Sequence, residues 1–123
     1  MAYILIVEDE LIIALSASMV LEDAGHKVVM AANGEAGLAQ ALSSAPDLII
    51  SDYMMPRMNG LQMIRALRER GETTPVILTT AVPECGLPLN DDPAYDAYLI
   101  KPYHDGSLMD AVNRLLDRGS EQG

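Results

Sequence analysis

Hydrophobic residues along this chain gather into five short runs: Tyr3–Val7 (YILIV), Lys27–Ala31 (KVVMA), Leu48–Ser51 (LIIS), Val76–Thr80 (VILTT) and Ala97–Ile100 (AYLI). Most are β-rich and do not alternate with polar positions, as a parallel strand covered on both faces requires. Between them, and after the last, the pattern turns helical over about 10–24, 34–44, 59–70 and 106–118. Gly25, Pro46 and Gly71 punctuate the returns. Strand and helix alternating in this way predict an α/β, doubly wound parallel sheet, with right-handed crossovers placing helices on both sides. Function in such sheets gathers at the carboxyl edge of the strands.

Several runs deliver polar chemistry to that edge. Glu8 and Asp9 follow the first, Asp52 follows the third, Thr79 and Thr80 end the fourth, and Lys101–Pro102 follows the fifth. Carboxylates crowded at a partly buried edge repel one another, and a hard divalent cation relieves them. Mg2+ (or Mn2+) suits oxygen ligands, with Asp9 and Asp52 as direct carboxylate ligands and the Met54 backbone carbonyl as a third. Glu8 then accepts a hydrogen bond from a metal-bound water. Asp52 becomes a nucleophile toward a phosphoryl group, Lys101 neutralises its oxygens, and Thr80 donates a hydrogen bond to the product. Plainer readings exist for each residue alone. Acids also cap helix N-termini, aspartate also forms turns before Pro56 and Gly60, and a tyrosine such as Tyr98 also fills cores. Turn chemistry does not, however, ask for acids after two strands and a lysine after a third.

Composition narrows the function classes. With 123 residues the chain fits one domain, and without Trp or Phe its core must be aliphatic and methionine-filled. Eight basic against eighteen acidic residues give a net charge of −10. That charge disfavours direct binding of nucleic acid or anionic membrane. A lone Cys85 forms no intrachain disulfide, and an N-terminus that meets acid after seven residues reads as a strand and not a signal peptide, so a cytoplasmic location is expected. No apolar run is long enough to span a bilayer.

Glu8–Asp9, Asp52 with its loop DYMMPRMNG, Thr80–Ala81 and Lys101–Pro102–Tyr103 together resemble the receiver domain of two-component response regulators. The resemblance spans essentially the whole chain, and the ordered set is far more specific than any one piece. It implies a flavodoxin-like sheet in the order 2-1-3-4-5, Asp52 as phosphoacceptor, Thr80 and Tyr98 as a switch pair, and a cis peptide at Lys101–Pro102. Implied partners are a sensor histidine kinase or histidine phosphotransfer protein and a downstream protein target, for a monomer or weak dimer. The chain is then a phosphorylation switch and not a turnover enzyme. A haloacid-dehalogenase-like phosphatase is a poorer match, because Met54 stands where a second aspartate is needed. A pseudo-receiver that only binds proteins, or a receiver excised from a larger regulator or hybrid kinase, keeps the same fold.

Other features are individual. Pro83, Gly86, Pro88 and Pro93 crowd the stretch where the family has its fourth helix, so that helix is expected to be absent, short or mobile. The first helix is expected to turn Leu11, Ala14, Leu15 and Leu21 or Ser18 inward. Leu11, Ile12, Ile13 and Met19 are candidates for a partner surface, with packing against the C-terminal helix as the alternative. Residues 1–118 are read as the domain and 119–123 as a polar tail.

Overall fold

The computed structural model describes residues 2–81 and 95–122. The stretch expected to lack an ordinary fourth helix, Val82 to Pro93, lies outside the described residues. Strands β1 (Tyr3–Val7), β2 (Lys27–Ala31), β3 (Leu48–Asp52), β4 (Val76–Thr80) and β5 (Ala97–Ile100) form one sheet in the order β2-β1-β3-β4-β5, every pair parallel. Helices α1 (Leu11–Asp23), α2 (Gly34–Ser44), α3 (Gly60–Glu69) and α4 (Asp105–Gln122) connect or follow them. The α4 backbone continues through residues 119–122, where a polar tail is expected from sequence. Ser, Glu and Gln there are tolerable helix residues, and Gly119 costs only about 1 kcal/mol against alanine.

Burial explains why the strand runs do not alternate. The central strands β3 and β4 are buried at every position, whereas the edge strands β2 and β5 are partly exposed. One face of the sheet packs Ile4, Ile6, Ile50 and Ile77 against α1 and α4. The other packs Leu5, Val7, Ile49 and Leu78 against α2 and α3. Successive residues thus feed opposite cores, and both must be apolar.

The α1 helix turns a different stripe inward from the one expected. Ala14, Ala17, Ser18 and Leu21 are buried, while Leu11 and Leu15 are exposed. The buried set keeps i, i+3, i+4, i+7 spacing, and its small residues let α1 approach the sheet and α4 closely.

The loop after β3 is pinned to the strand end. Asn59 caps α3 by accepting from the Gln62 N–H, and the Gln62 side chain accepts in return from the Asn59 N–H, both at 2.9 Å. The Gly60 N–H donates to the Tyr53 carbonyl at 2.9 Å. A Cβ on Gly60 would lie 2.5 Å from the Asp52 carbonyl oxygen and 2.8 Å from Leu78 Cδ1. Only glycine lets α3 begin this close to the end of β3. Gly60→Ala should therefore lower stability by about 1–3 kcal/mol through overpacking, measured by urea unfolding. An unchanged midpoint would mean that the Asp52 carbonyl yields freely.

Candidate functional site

At the carboxyl edge, three strand ends bring one ammonium between two carboxylates. The Lys101 Nζ donates to Glu8 Oε1 at 2.7 Å and lies 3.2 Å from Asp52 Oδ2. Glu8 is 6% exposed and Asp52 5%. The backbone reinforces the convergence: the Lys101 N–H donates to the Thr80 carbonyl at 2.7 Å and the Tyr53 N–H to the Thr79 carbonyl at 2.8 Å. The Lys101–Pro102 peptide is cis.

Electrostatics at the site follow from burial and crowding. Burial raises the Glu8 carboxyl to about 7; the Lys101 hydrogen bond opposes this and the Asp52 charge adds to it. For Lys101 burial acts downward, but the bond to Glu8 and the Asp52 charge outweigh it and hold the ammonium above its ordinary value. The two directions belong to one shared group of charges: burial works against the charged form of both partners, and the Asp52 charge raises both groups.

Asp9 and Glu10 are exposed beside this pair. Carboxylate oxygens of Glu8, Asp9 and Glu10 lie within 4.8 Å of one another, a grouping that could hold a cation. Glu10 is an addition to the ligand set read from sequence, and Asp52 stands outside this group while Lys101 holds its Oδ2. The second oxygen of Glu8 accepts from the Glu10 N–H at 3.3 Å. The donors are all oxygens, which suits a hard divalent ion. Met54 follows closely after Asp52, with its side chain exposed.

Thr80 ends β4 fully buried and in register with Ile100, while Thr79 is the residue in register with Asp52. Thr80 and Tyr98 fall on the same sheet face, because Leu78 pairs with Tyr98 and alternate residues share a side. Tyr98 is half-buried against the α2 and α3 core and meets Tyr95 edge-on at 6.3 Å. Tyr103 is a site residue to which the sequence motif assigns no role. With Glu8, Asp52, Thr79, Ile13 and Ala14 it lines a cavity of about 10 Å³, and burial, then the Glu8 charge, raises its phenol above the ordinary value. Its only sequence signal is its place just past the lysine.

Of the two histidines, His26 lies at the opposite end of the sheet, where Nδ1 accepts from the Ala2 N–H at 3.2 Å. His104 contributes its carbonyl to the start of α4, accepting from the Leu108 N–H at 3.1 Å. Neither is among the residues that meet Asp52. No described helix is long and apolar enough to cross a membrane.

This arrangement has known relatives. The family described as response regulator receiver domain matches residues 4–113. Response regulator ArlR of Staphylococcus saprophyticus is 37% identical over 96% of this chain and 54% of its own length. Transcriptional regulatory protein CiaR of Streptococcus pneumoniae is 37% identical over 98% of this chain and 54% of its own length. The chain thus spans about half the length of the curated relatives it matches. A receiver domain protein from Clostridium thermocellum superimposes with a TM-score of 0.90 at 25% identity, all of both chains covered. Response regulator TrrA of Thermotoga maritima, solved with Mg2+ and BeF, gives 0.85 at 31% identity, covering 94% of this chain and 99% of that one. The family match over residues 4–113 makes this chain a member of the response regulator receiver domain family.

Proposed function

We propose that this chain is a phosphoacceptor switch, in which Asp52 takes a phosphoryl group from the phosphohistidine of a sensor kinase or phosphotransfer protein. The observation that carries this reading is the buried Asp52 carboxylate held 3.2 Å from the Lys101 ammonium at the sheet edge. A carboxylate oxygen of Asp52 forms the new P–O bond, the P–N bond to the donor imidazole breaks, and the imidazole nitrogen keeps the electron pair and takes a proton. Lys101, already between two acids, turns its ammonium toward the arriving phosphoryl oxygens. Thr80 donates a hydrogen bond from its hydroxyl to one of them, and Tyr98, on the same sheet face, repacks as that hydroxyl moves.

Asp9, Asp52, the Met54 carbonyl and Glu8, the last through a water, are the residues that would hold Mg2+. When bound, the ion neutralises charge on the transferring phosphoryl group. The oxygen-only donor set supports this, as does the Mg2+ and BeF in the structure of TrrA. Leu11, Ile12, Ile13 and Met19 on α1 are proposed as the surface where the phosphodonor docks. Exposure of Leu11, Ile12 and Met19 supports it, since α4 packs the opposite side of α1. The same fold without phosphotransfer would act as a binding module. Half-length coverage of the relatives also leaves room for this segment to work inside a longer regulator.

Incubation with Mg2+ and acetyl phosphate should add one phosphoryl group by intact mass, and Asp52→Asn should abolish it. Turnover to free phosphate without an adduct would point to a phosphatase, and no adduct at all to a binding module. Lys101→Met should slow adduct formation roughly hundredfold, as loss of a preorganised electrostatic contact does. A circular-dichroism melt checks that this variant still folds. A folded Lys101→Met chain phosphorylated at the wild-type rate would remove Lys101 from the mechanism.

A further inference from the structure

The chain has five tyrosines and neither Phe nor Trp, and two of those tyrosines meet ring to ring. Tyr95 stands edge-on to Tyr98, with centroids 6.3 Å apart and planes at 70°. Both rings are half-buried against the α2 and α3 core. Strand alternation alone would not bring them together, because residues three apart in one strand point to opposite faces. β5 starts only at Ala97, and the bend at Asp96 carries Tyr95 back to the face that Tyr98 shares with Thr80.

The backbone next to Tyr95 is tied down. The Asp96 N–H donates to the Val76 carbonyl at 2.9 Å, and the Asp96 carboxylate accepts from the Val76 N–H at 2.9 Å. Arg68 reaches the same carboxylate at 3.5 Å while it donates to the Glu72 and Thr74 carbonyls at 3.0 and 2.8 Å. Tyr95 is thus mounted beside the start of β4 and the end of α3, at the amino edge of the sheet. Direction then decides what its ring does. Leu78 is in register with Tyr98 and Thr80 with Ile100, so Thr80 lies two residues downstream of Tyr98 and Tyr95 lies upstream. A Tyr98 ring that follows the Thr80 hydroxyl toward Asp52 leaves Tyr95 behind.

Resting on the switch reading proposed above, we infer that Tyr95 is a positioning residue that holds the Tyr98 ring on the upstream side and sets how readily the switch turns. Two arrangements of Tyr98 differ in whether the ring pair is made. A group that binds at Asp52 and favours the repacked arrangement must break that pair, and its apparent affinity falls by the factor the pair contributes. An edge-to-face pair shifts such an equilibrium about two- to tenfold.

The test titrates whole, 15N-labelled chains with beryllofluoride, a phosphoryl mimic, in excess Mg2+. Wild type is compared with Tyr95→Leu, Tyr95→Phe, Tyr98→Leu and the double variant Tyr95→Leu/Tyr98→Leu, each checked for folding by a circular-dichroism melt. Tyr95→Ile repeats the ring removal in case the leucine variant does not fold. Tyr95→Leu should tighten the apparent Kd about two- to tenfold. Tyr95→Phe, which keeps the ring, should match wild type. In the Tyr98→Leu background the Tyr95 change should have no effect, because no ring is left to restrain. A second readout needs no ligand: with Mg2+ and beryllofluoride both left out, Tyr95→Leu should move the Thr80 and Lys101 amides part of the way toward their positions in loaded wild type. An unchanged or weaker Kd in folded Tyr95→Leu, an equal effect with and without the Tyr98 ring, or a phenylalanine variant that acts like the leucine one would each overturn the inference. So would Thr80 and Lys101 amides that stay in place. Wild type that binds no beryllofluoride removes the switch reading and this inference with it; wild type that binds, with any of those results, removes the inference alone.

Discussion

Two carboxylates that would repel one another in a buried place are held there by a single ammonium, and much of the molecule serves to keep those three groups together. Glu8 leaves the end of β1, Asp52 ends β3, and Lys101 follows β5, so no two are near in sequence. Only a parallel sheet puts three such strand ends on one rim, since an antiparallel neighbour would carry its last residue to the far side. Removing one charge of a buried pair usually costs more than the pair contributes, because the other is left unpaired in a low dielectric. Here the risk is doubled, as Lys101 serves two acids.

The second constraint is closeness of backbone. Gly60 brings α3 against the end of β3 where a Cβ would meet the Asp52 carbonyl at 2.5 Å. Gly37 does the same for α2 over β1, where a Cβ would lie 2.7 Å from a Val7 methyl. Gly34 faces Met58, so the start of α2 also bears on the loop that follows Asp52. Three glycines thus let two helices settle onto the strands and loop around the site. Packing on the α2 and α3 side positions Asp52 as surely as its own ion pair does.

Much of this was legible in the sequence. The strand runs carried themselves, because two-sided burial removes polar positions and leaves unbroken aliphatic stretches such as Ile4–Val7 and Val76–Leu78. The convergence of Glu8, Asp52 and Lys101 followed from parallel order alone. Orientation of α1 did not. Its apolar residues surround the axis, so spacing could not say which stripe faces inward, and the small residues Ala14, Ala17 and Ser18 won over Leu11 and Leu15 because they allow close approach. Tyr103 stood in the motif without a role, and Glu10 was not read as a ligand, for a related reason. Their contribution depends on where a loop carries a side chain, and periodicity says nothing about loops.

The charge arithmetic around the pair shows why the edge invites more positive charge. Glu8, Asp9, Glu10 and Asp52 bring four carboxylates to the rim against the one ammonium of Lys101. Burial above all raises the Glu8 carboxyl to about 7, against the Lys101 hydrogen bond at 2.7 Å, and the Asp52 charge adds to it. The excess is local, since Arg57, Arg65, Arg68 and Arg70 lie in or beside α3 and not at this rim. On the proposed reading, a divalent cation and the ammonium together would balance what neither balances alone, and an arriving phosphoryl group would then meet a nearly neutral rim in place of a repelling one.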